Sequence, residues 1–341
     1  MKHHYLIINL WFLLFQVVEA VETEQIVEEE EEIGYIQSLI LQVPALTKVT
    51  SFYQEIKIHE STHYGKVFIL DNCLQLTERD APHYNEMLAH VPMMEYLANK
   101  GPGSDQLKVL VLGGGDGYVV SELLKYPFIQ SIDHVELDEE VINVSKNYFP
   151  WAKDLWQDER VNLVITDGAA FVKEKASQAD TYYNVIIQDA SDPFFMEPDG
   201  TFKILPSHVL YTNTHFEMMH KLLEPMKGVL MFQAETYNIP SNLQEIKKWR
   251  SNLSNIGFEK VRYGSIAIGT YPTGQIGFMV AHASKNEQEE MVCKDTGTCE
   301  DANNATDAMN MMEWLDWNAI GQHFKALPDK TKYYHPRVHR R

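Results

Sequence analysis

Basic residues are scarce in this chain. It has 29 Lys and Arg against 48 Asp and Glu over 341 residues, a formal net charge of −19. Phosphate backbones are held by clustered Lys and Arg, so this deficit excludes nucleic acid as the main partner. Cysteine is scarcer still. Cys73, Cys293 and Cys299 are too few for a disulfide scaffold and too sparse for a zinc site, so no metal centre is expected. Internal repeats are lacking, and so is an apolar run long enough to span a bilayer comfortably. The run at 5–18 follows Lys2, His3 and His4 and leads into Val18-Glu19-Ala20, the layout of a secretory signal. Asn9 and Gln16 interrupt it, which leaves an uncleaved anchor or an organelle address open. Segment 1–20 therefore points to the secretory pathway or an organelle, with the cytoplasm as alternative and no stable span in the mature chain.

What remains is an ordinary globular composition, 45% hydrophobic and 11% aromatic, enough for one large core or two modest ones. The acidic tract at 22–32 has little to pack and reads as a solvated linker, giving a 21–33 linker segment. Short alternating runs with turn signals at Gly65 and Asp71-Asn72 predict a small antiparallel β domain over 34–83. A helix is expected over 84–98, with Met87, Leu88, Val91 and Met94 on one face. Beyond it, strands are predicted at 108–112, 131–137, 161–166, 184–188 and 228–234. Helices are predicted at 119–125, 139–147, 169–176, 216–223 and 243–256, with a closing hairpin at 261–270 and 274–281. Strand–helix alternation of this kind requires a largely parallel sheet. The predicted fold class is thus α/β: a Rossmann-like, methyltransferase-type, mostly parallel sheet over 84–284 behind the small N-terminal β domain. An acidic low-complexity insertion at 285–312 carries Cys293, Cys299 and the sequon Asn304-Ala305-Thr306, and a helical tail is expected over 313–341. In a secreted chain the two cysteines would be placed to pair; otherwise they are idle thiols.

The stretch that organises the rest is 109–118 (VLVLGGGDGY), a buried strand, a glycine loop and a helix start. Doubly wound sheets hold nucleotides or nucleosides at such a loop. Acidic residues then recur at the strand ends: Asp116, Glu136 with Asp138, Asp167, Asp189 with Asp192, and Glu235. Helix capping explains Asp138 but not one carboxylate at every strand end. Glu136 lies about 20 residues past the loop, where an acid accepts from both ribose hydroxyls. Asp167-Gly168 is placed to take an adenine amino group. The loop lacks the sixth-position Gly or Ala of the dinucleotide fingerprint, and Asp116 within it would repel a pyrophosphate, so NAD is disfavoured. Asp116, Asp189 and Asp192 together make a negative pocket suited to ammonium or sulfonium groups and hostile to a free carboxylate.

Several separate motifs resemble the spermidine synthase family of aminopropyltransferases. They are Tyr53-Gln54, Tyr64-Gly65 with Leu70-Asp71, 75–80 (QLTERD), Tyr84 with Glu86-Met87, the GGGDG loop, 135–138 (VELD), Asp167-Gly168, 189–193 (DASDP) and 270–279 (TYPTGQIGFM), with a weaker echo at 333–339. The resemblance runs from about residue 34 to 283. It implies decarboxylated S-adenosylmethionine as co-substrate, no further cofactor, a polyamine acceptor (putrescine first, spermidine second) and a homodimer. By position it assigns Glu136 to the ribose, Asp167 and Gly168 to the adenine, and Gly113 and Gly115 to the nucleoside loop. Gln54 and Asp116 fall to the aminopropyl end, Asp189 and Tyr84 to the attacking amine, and Asp192, Glu235 and Tyr271 to the acceptor channel.

The chain also departs from that pattern. The segment after Pro193, 194–209 (FFMEPDGTFKILPSHV), is longer than the family's short lid and lacks its Gly-Pro-Ala motif. Asn85 replaces a Gln or His, and Tyr237-Asn238 replaces a Gln-Trp pair. Three other readings stay open: a spermine- or thermospermine-type synthase, a methyltransferase using intact S-adenosylmethionine, and a secreted polyamine-binding protein without turnover.

Overall fold

The computed structural model describes residues 22–30, 32–100, 106–196 and 202–283. The expected signal at 1–20, the insertion at 285–312 with Cys293, Cys299 and the sequon, and the tail at 313–341 lie outside the described residues.

The acidic tract is not a linker. Strand β1 (Thr23–Glu30) pairs antiparallel with β2 (Tyr35–Gln42) in a continuous register from Thr23↔Gln42 to Glu30↔Tyr35. Period-two alternation explains it: Ile26, Glu28 and Glu30 are half-buried while Gln25, Val27 and Glu29 are exposed. Ile26 packs with Leu39 and Leu41 against Val67 and Ile69 of the next sheet. That sheet has four antiparallel strands in chain order, β3 (Thr47–Thr50), β4 (Glu55–Ser61), β5 (Gly65–Leu70) and β6 (Cys73–Thr77). Asp71 and Asn72, both at positive φ, make the tight turn between β5 and β6.

Helix α1 (Ala81–Lys100) starts three residues before its predicted start and buries Met87, Leu88, Val91 and Met94 as the periodicity requires. The main domain follows as β7 (Leu107–Gly113), α2 (Tyr118–Leu123), β8 (Ile129–Glu136), α3 (Glu139–Tyr148), β9 (Val161–Ile165), α4 (Gly168–Ser177) and β10 (Val185–Asp189). A short antiparallel ribbon, β11 (Phe194–Met196) with β12 (Phe202–Ile204), comes next. Then come α5 (Asn213–Leu223), β13 (Val229–Gln233), α6 (Pro240–Ile256), β14 (Glu259–Ala267) and β15 (Gln275–His282). The sheet order is β14-β15-β13-β10-β7-β8-β9, with β13, β10, β7, β8 and β9 parallel and β15 antiparallel to both neighbours.

Both faces of this sheet are covered at its centre, which is why β7, β10 and β13 are apolar without alternation. Val109 and Val111 join the core beneath α1 and α2, while Leu110 and Leu112 join the core beneath α4, α5 and α6. From β7 the chain runs outward to β8 and β9, then crosses back to β10 on the other side of β7. That reversal opens a crevice outside the carboxyl ends of β7 and β10. Leu110 is fully buried in the second core. Leu110→Ala should cost about 2–5 kcal/mol, read as a lower urea midpoint with an unchanged slope.

Candidate active site

Glycine lets the loop after β7 press against the end of β10. Gly113, Gly114 and Gly117 hold positive φ values of 77, 66 and 79°. A Cβ on Gly113 would lie 2.1 Å from the Asp189 carbonyl oxygen, and one on Gly115 would lie 2.8 Å from Glu136 Oε2. Gly114 N donates to the Asp189 carbonyl at 2.9 Å. Asp116 Oδ1 accepts from Tyr118 N at 2.8 Å, which turns its carboxylate back over the start of α2.

This packing gathers carboxylates from separate strand ends. Asp116 is raised to about 8, by burial first and then by the charge of Asp189. Burial raises Glu136 to about 7, against backbone donors that include Asp138 N at 2.9 Å. Asp189 is raised to about 6, again by burial, while the Tyr84 hydroxyl donating at 2.7 Å pulls it down. Burial and the Asp189 charge push the Tyr84 hydroxyl well above its usual range, so it stays a donor.

A second group lies beside Asp192. Glu235, at φ 58°, is pushed well up by burial and then by the Asp192 charge. Glu30 is raised to about 7 by burial and then by Asp192, Glu28 and Glu32. Gln233 Nε2 donates to Asp192 Oδ1 at 2.9 Å. The Tyr271 ring stacks on Tyr84 with centroids 5.8 Å apart, and burial followed by the charges of Asp189 and Asp192 raises its hydroxyl. The crevice is thus a run of carboxylates between aromatic walls, an environment that favours cations.

The sequence-selected residues mostly meet in this crevice, with qualifications of position. Asp167 is the N-cap of α4, accepting from Ala170 N at 2.8 Å, and Gly168 opens that helix. Gln54 donates to Asp138 at 3.1 Å, just past the end of β8. Asp138 is the cap of α3, as expected, and also accepts from Ser51 at 2.6 Å. Asn85 turns back to its own helix, donating to Ala81 O at 2.9 Å. The long segment after Pro193 forms the β11–β12 ribbon and is tied down by Ser207 donating to the Asp192 carbonyl. Sequence reasoning missed Glu28 and Glu30, whose alternation was hidden in a run of glutamates. It also missed Gln233, signalled only as the polar end of VLMFQ. Among the described residues no group of three or more His, Cys, Asp or Glu is arranged to hold a metal ion, and no helix is long and apolar enough to cross a membrane.

Fold and site together define a Rossmann-like protein with carboxylates gathered at the carboxyl ends of its parallel strands. Residues 81–291 match the family model of the spermine/spermidine synthase domain, and residues 45–78 match that of the spermidine synthase tetramerisation domain. The chain belongs to the spermine/spermidine synthase family. Its relatives include putrescine N-methyltransferase 2 of Nicotiana tabacum, 40% identical over 230 residues, covering 67% of this chain and 59% of that one. Spermidine synthase 2 of Arabidopsis thaliana is 38% identical over 230 residues, covering 67% and 61%. Spermidine synthase 2 of Datura stramonium is 34% identical over 289 residues, covering 85% and 77%. The chain spans 53–59% of the length of the Nicotiana relatives. Among solved structures, a spermidine synthase in complex with the transition-state analogue AdoDATO superposes with TM-score 0.71 at 23% identity, covering 95% of this chain and 93% of that one. The Thermotoga maritima spermidine synthase gives 0.69 at 23%, covering 96% and 94%. These two share the fold.

The raised carboxylates make a stability prediction. A group whose folded pKa lies above its unfolded value stabilises fully below the unfolded pKa and loses that contribution as pH rises through the folded one. For Asp189, Glu136 and Asp116 the loss runs from about 4 up to about 6, 7 and 8. His134 and His215, both lowered to about 4 by burial, act oppositely and withdraw stability as pH falls below about 6.5. Three raised carboxylates outweigh two lowered imidazoles throughout, so the melting temperature of the ligand-free protein should fall steadily from about pH 5 to about pH 8. In Asp116→Asn the alkaline fall should be shallower.

Proposed function

We propose that this chain is a polyamine aminopropyltransferase, moving the aminopropyl group of decarboxylated S-adenosylmethionine to putrescine and releasing spermidine and methylthioadenosine. The observation that carries the reading is Asp189. It sits where the Gly114 amide, the Tyr84 hydroxyl and the Asp116 carboxylate converge. Glu136 would take the ribose hydroxyls, Asp167 and Gly168 the adenine, and Asp116 the donor's ammonium. Asp192, Glu235 and Tyr271 would line the acceptor channel, with Glu30 at its β1 side.

Asp189 orients the acceptor amine, with its other contact fixed by Tyr84. The amine loses one proton and its lone pair attacks the carbon next to the sulfonium. The carbon–sulfur bond breaks, its electron pair goes to sulfur, and the new secondary amine keeps the remaining positive charge. A carboxylate near 6 accepts a proton more readily than an ordinary Asp near 4. Displacement at a sulfonium has a good leaving group, so alignment carries most of the rate.

One observation favours a second reading, methyl transfer from intact S-adenosylmethionine to putrescine: the Nicotiana relatives at 40% identity are putrescine N-methyltransferases. Against it stand Asp116 and Asp189, whose negative charge would oppose a donor's free carboxylate. The match at 45–78 supports a multimer, with the dimer and the tetramer as the assemblies to distinguish by light scattering. Entry into the secretory pathway rests on segment 1–20 and is tested by following the full chain with and without it.

The experiment supplies each donor with putrescine and, separately, spermidine, and reads the mass of the new amine. A gain of one aminopropyl group with methylthioadenosine is the expected result. A gain of one methyl group sinks the reading in favour of methyl transfer, and no product with retained donor binding leaves a polyamine-binding protein. Asp189→Asn should lower kcat by about 10²–10⁴-fold with donor affinity largely kept. Glu30→Gln should raise the acceptor KM several-fold with the donor KM unchanged, since Glu30 faces Asp192 and not the glycine loop.

A further inference from the structure

His134 lies on β8 behind the glycine loop and is fully buried, with no role yet assigned to it. Its two ring nitrogens have partners of fixed polarity. The Trp156 indole N–H lies 2.9 Å from Nδ1, and an indole nitrogen can only donate, so Nδ1 is the acceptor. The Gly113 carbonyl lies 2.9 Å from Nε2, and a carbonyl can only accept, so Nε2 carries the proton. One tautomer of the neutral ring satisfies both, and burial, which lowers the imidazole to about 4, keeps the ring neutral at working pH.

The chain of contacts continues on both sides. The His134 and Trp156 rings stack 5.9 Å apart with 12° between planes, and Lys146 lies over the Trp156 ring at 5.1 Å. A Cβ on Gly117 would lie 3.2 Å from Trp156, so the indole also abuts the far end of the loop. Gly113 itself is held from the opposite side, where Gly114 donates to the Asp189 carbonyl. The loop is therefore clamped between β10 and a Trp156–His134 pair beneath it.

We propose that His134 is a positioning residue for the nucleoside, fixing the glycine loop through its Nε2–H bond to Gly113 in the tautomer that Trp156 imposes. This rests on the nucleoside reading of the crevice but not on which group is transferred. Gly113 ends β7 in register with Asp189 at the point where the left-handed loop leaves the sheet, and freeing its carbonyl from His134 lets that peptide rotate away from the ligand.

The test measures binding of methylthioadenosine, the nucleoside thioether that both candidate donors contain, by calorimetry, alongside thermal unfolding of each variant. His134→Gln keeps a donor near the Nε2 position, whereas His134→Asn keeps an acceptor near Nδ1 and loses that donor. Affinity should fall about tenfold in His134→Leu, a fall expected when a buried hydrogen-bond partner is left unmatched. It should remain low in His134→Asn and recover to within about threefold in His134→Gln. In turnover, donor KM should follow the same order while acceptor KM stays unchanged. Equal affinity in wild type and His134→Leu overturns the proposal, as does an affinity order that follows melting temperature and ignores the Gln–Asn distinction. Failure of the wild type to bind the nucleoside overturns this and the functional reading together. Nucleoside binding without aminopropyl transfer overturns only the latter.

Discussion

The structure depends on the cost of confining negative charge. Asp116, Glu136 and Asp189 are drawn into one crevice because the glycine loop can approach β10 more closely than any residue with a Cβ. Burial then raises all three, Asp116 furthest, with the charge of Asp189 adding to it. A neutral ligand would leave that repulsion in place. A sulfonium with an ammonium arm, the donor proposed, would offset it.

The acceptor side follows the same logic with a different scaffold. Asp192 and Glu235 follow strands of the main sheet, while Glu28 and Glu30 arrive on the β1–β2 hairpin near the start of the chain. That hairpin is pinned by contacts that are specific and not merely apolar. Gln37 donates to the Thr270 carbonyl and to Glu28, and Glu32 accepts from Ser241 at the start of α6. Thr270 in turn donates to Asp80, which also accepts from Thr77. These bonds join the N-terminal sheets to the segment that carries Tyr271, so the proposed acceptor side is walled by both parts of the chain.

Much of this was legible from sequence, and for identifiable reasons. β7 and β13 read directly as strands because both faces are buried and their residues are continuously apolar. The strand-end carboxylates were found because a cap at every strand end is improbable. The family motifs tied Asp189 to Tyr84, and the structure brings them to 2.7 Å. β1 was lost because its four glutamates outweigh Ile26 and Val27 in any hydropathy count, although Glu28 and Glu30 are half-buried. The Gln54–Asp138 contact was not legible, because a motif gives neighbours in sequence while this pair is brought together by how the β3–β4 turn meets α3. His134 carried no signal at all, since its meaning lies in Trp156 and Gly113, which only the fold brings to it.

The central claim is that the crevice exchanges protons for ligand charge. Calorimetric titration at pH 7 in buffers of different ionisation enthalpy counts protons released on binding. Asp116, near 8 in the ligand-free protein, should ionise when decarboxylated S-adenosylmethionine binds, releasing about one proton. Neutral methylthioadenosine should release almost none. Equal proton release with both ligands, or proton uptake with the cationic one, would contradict the account.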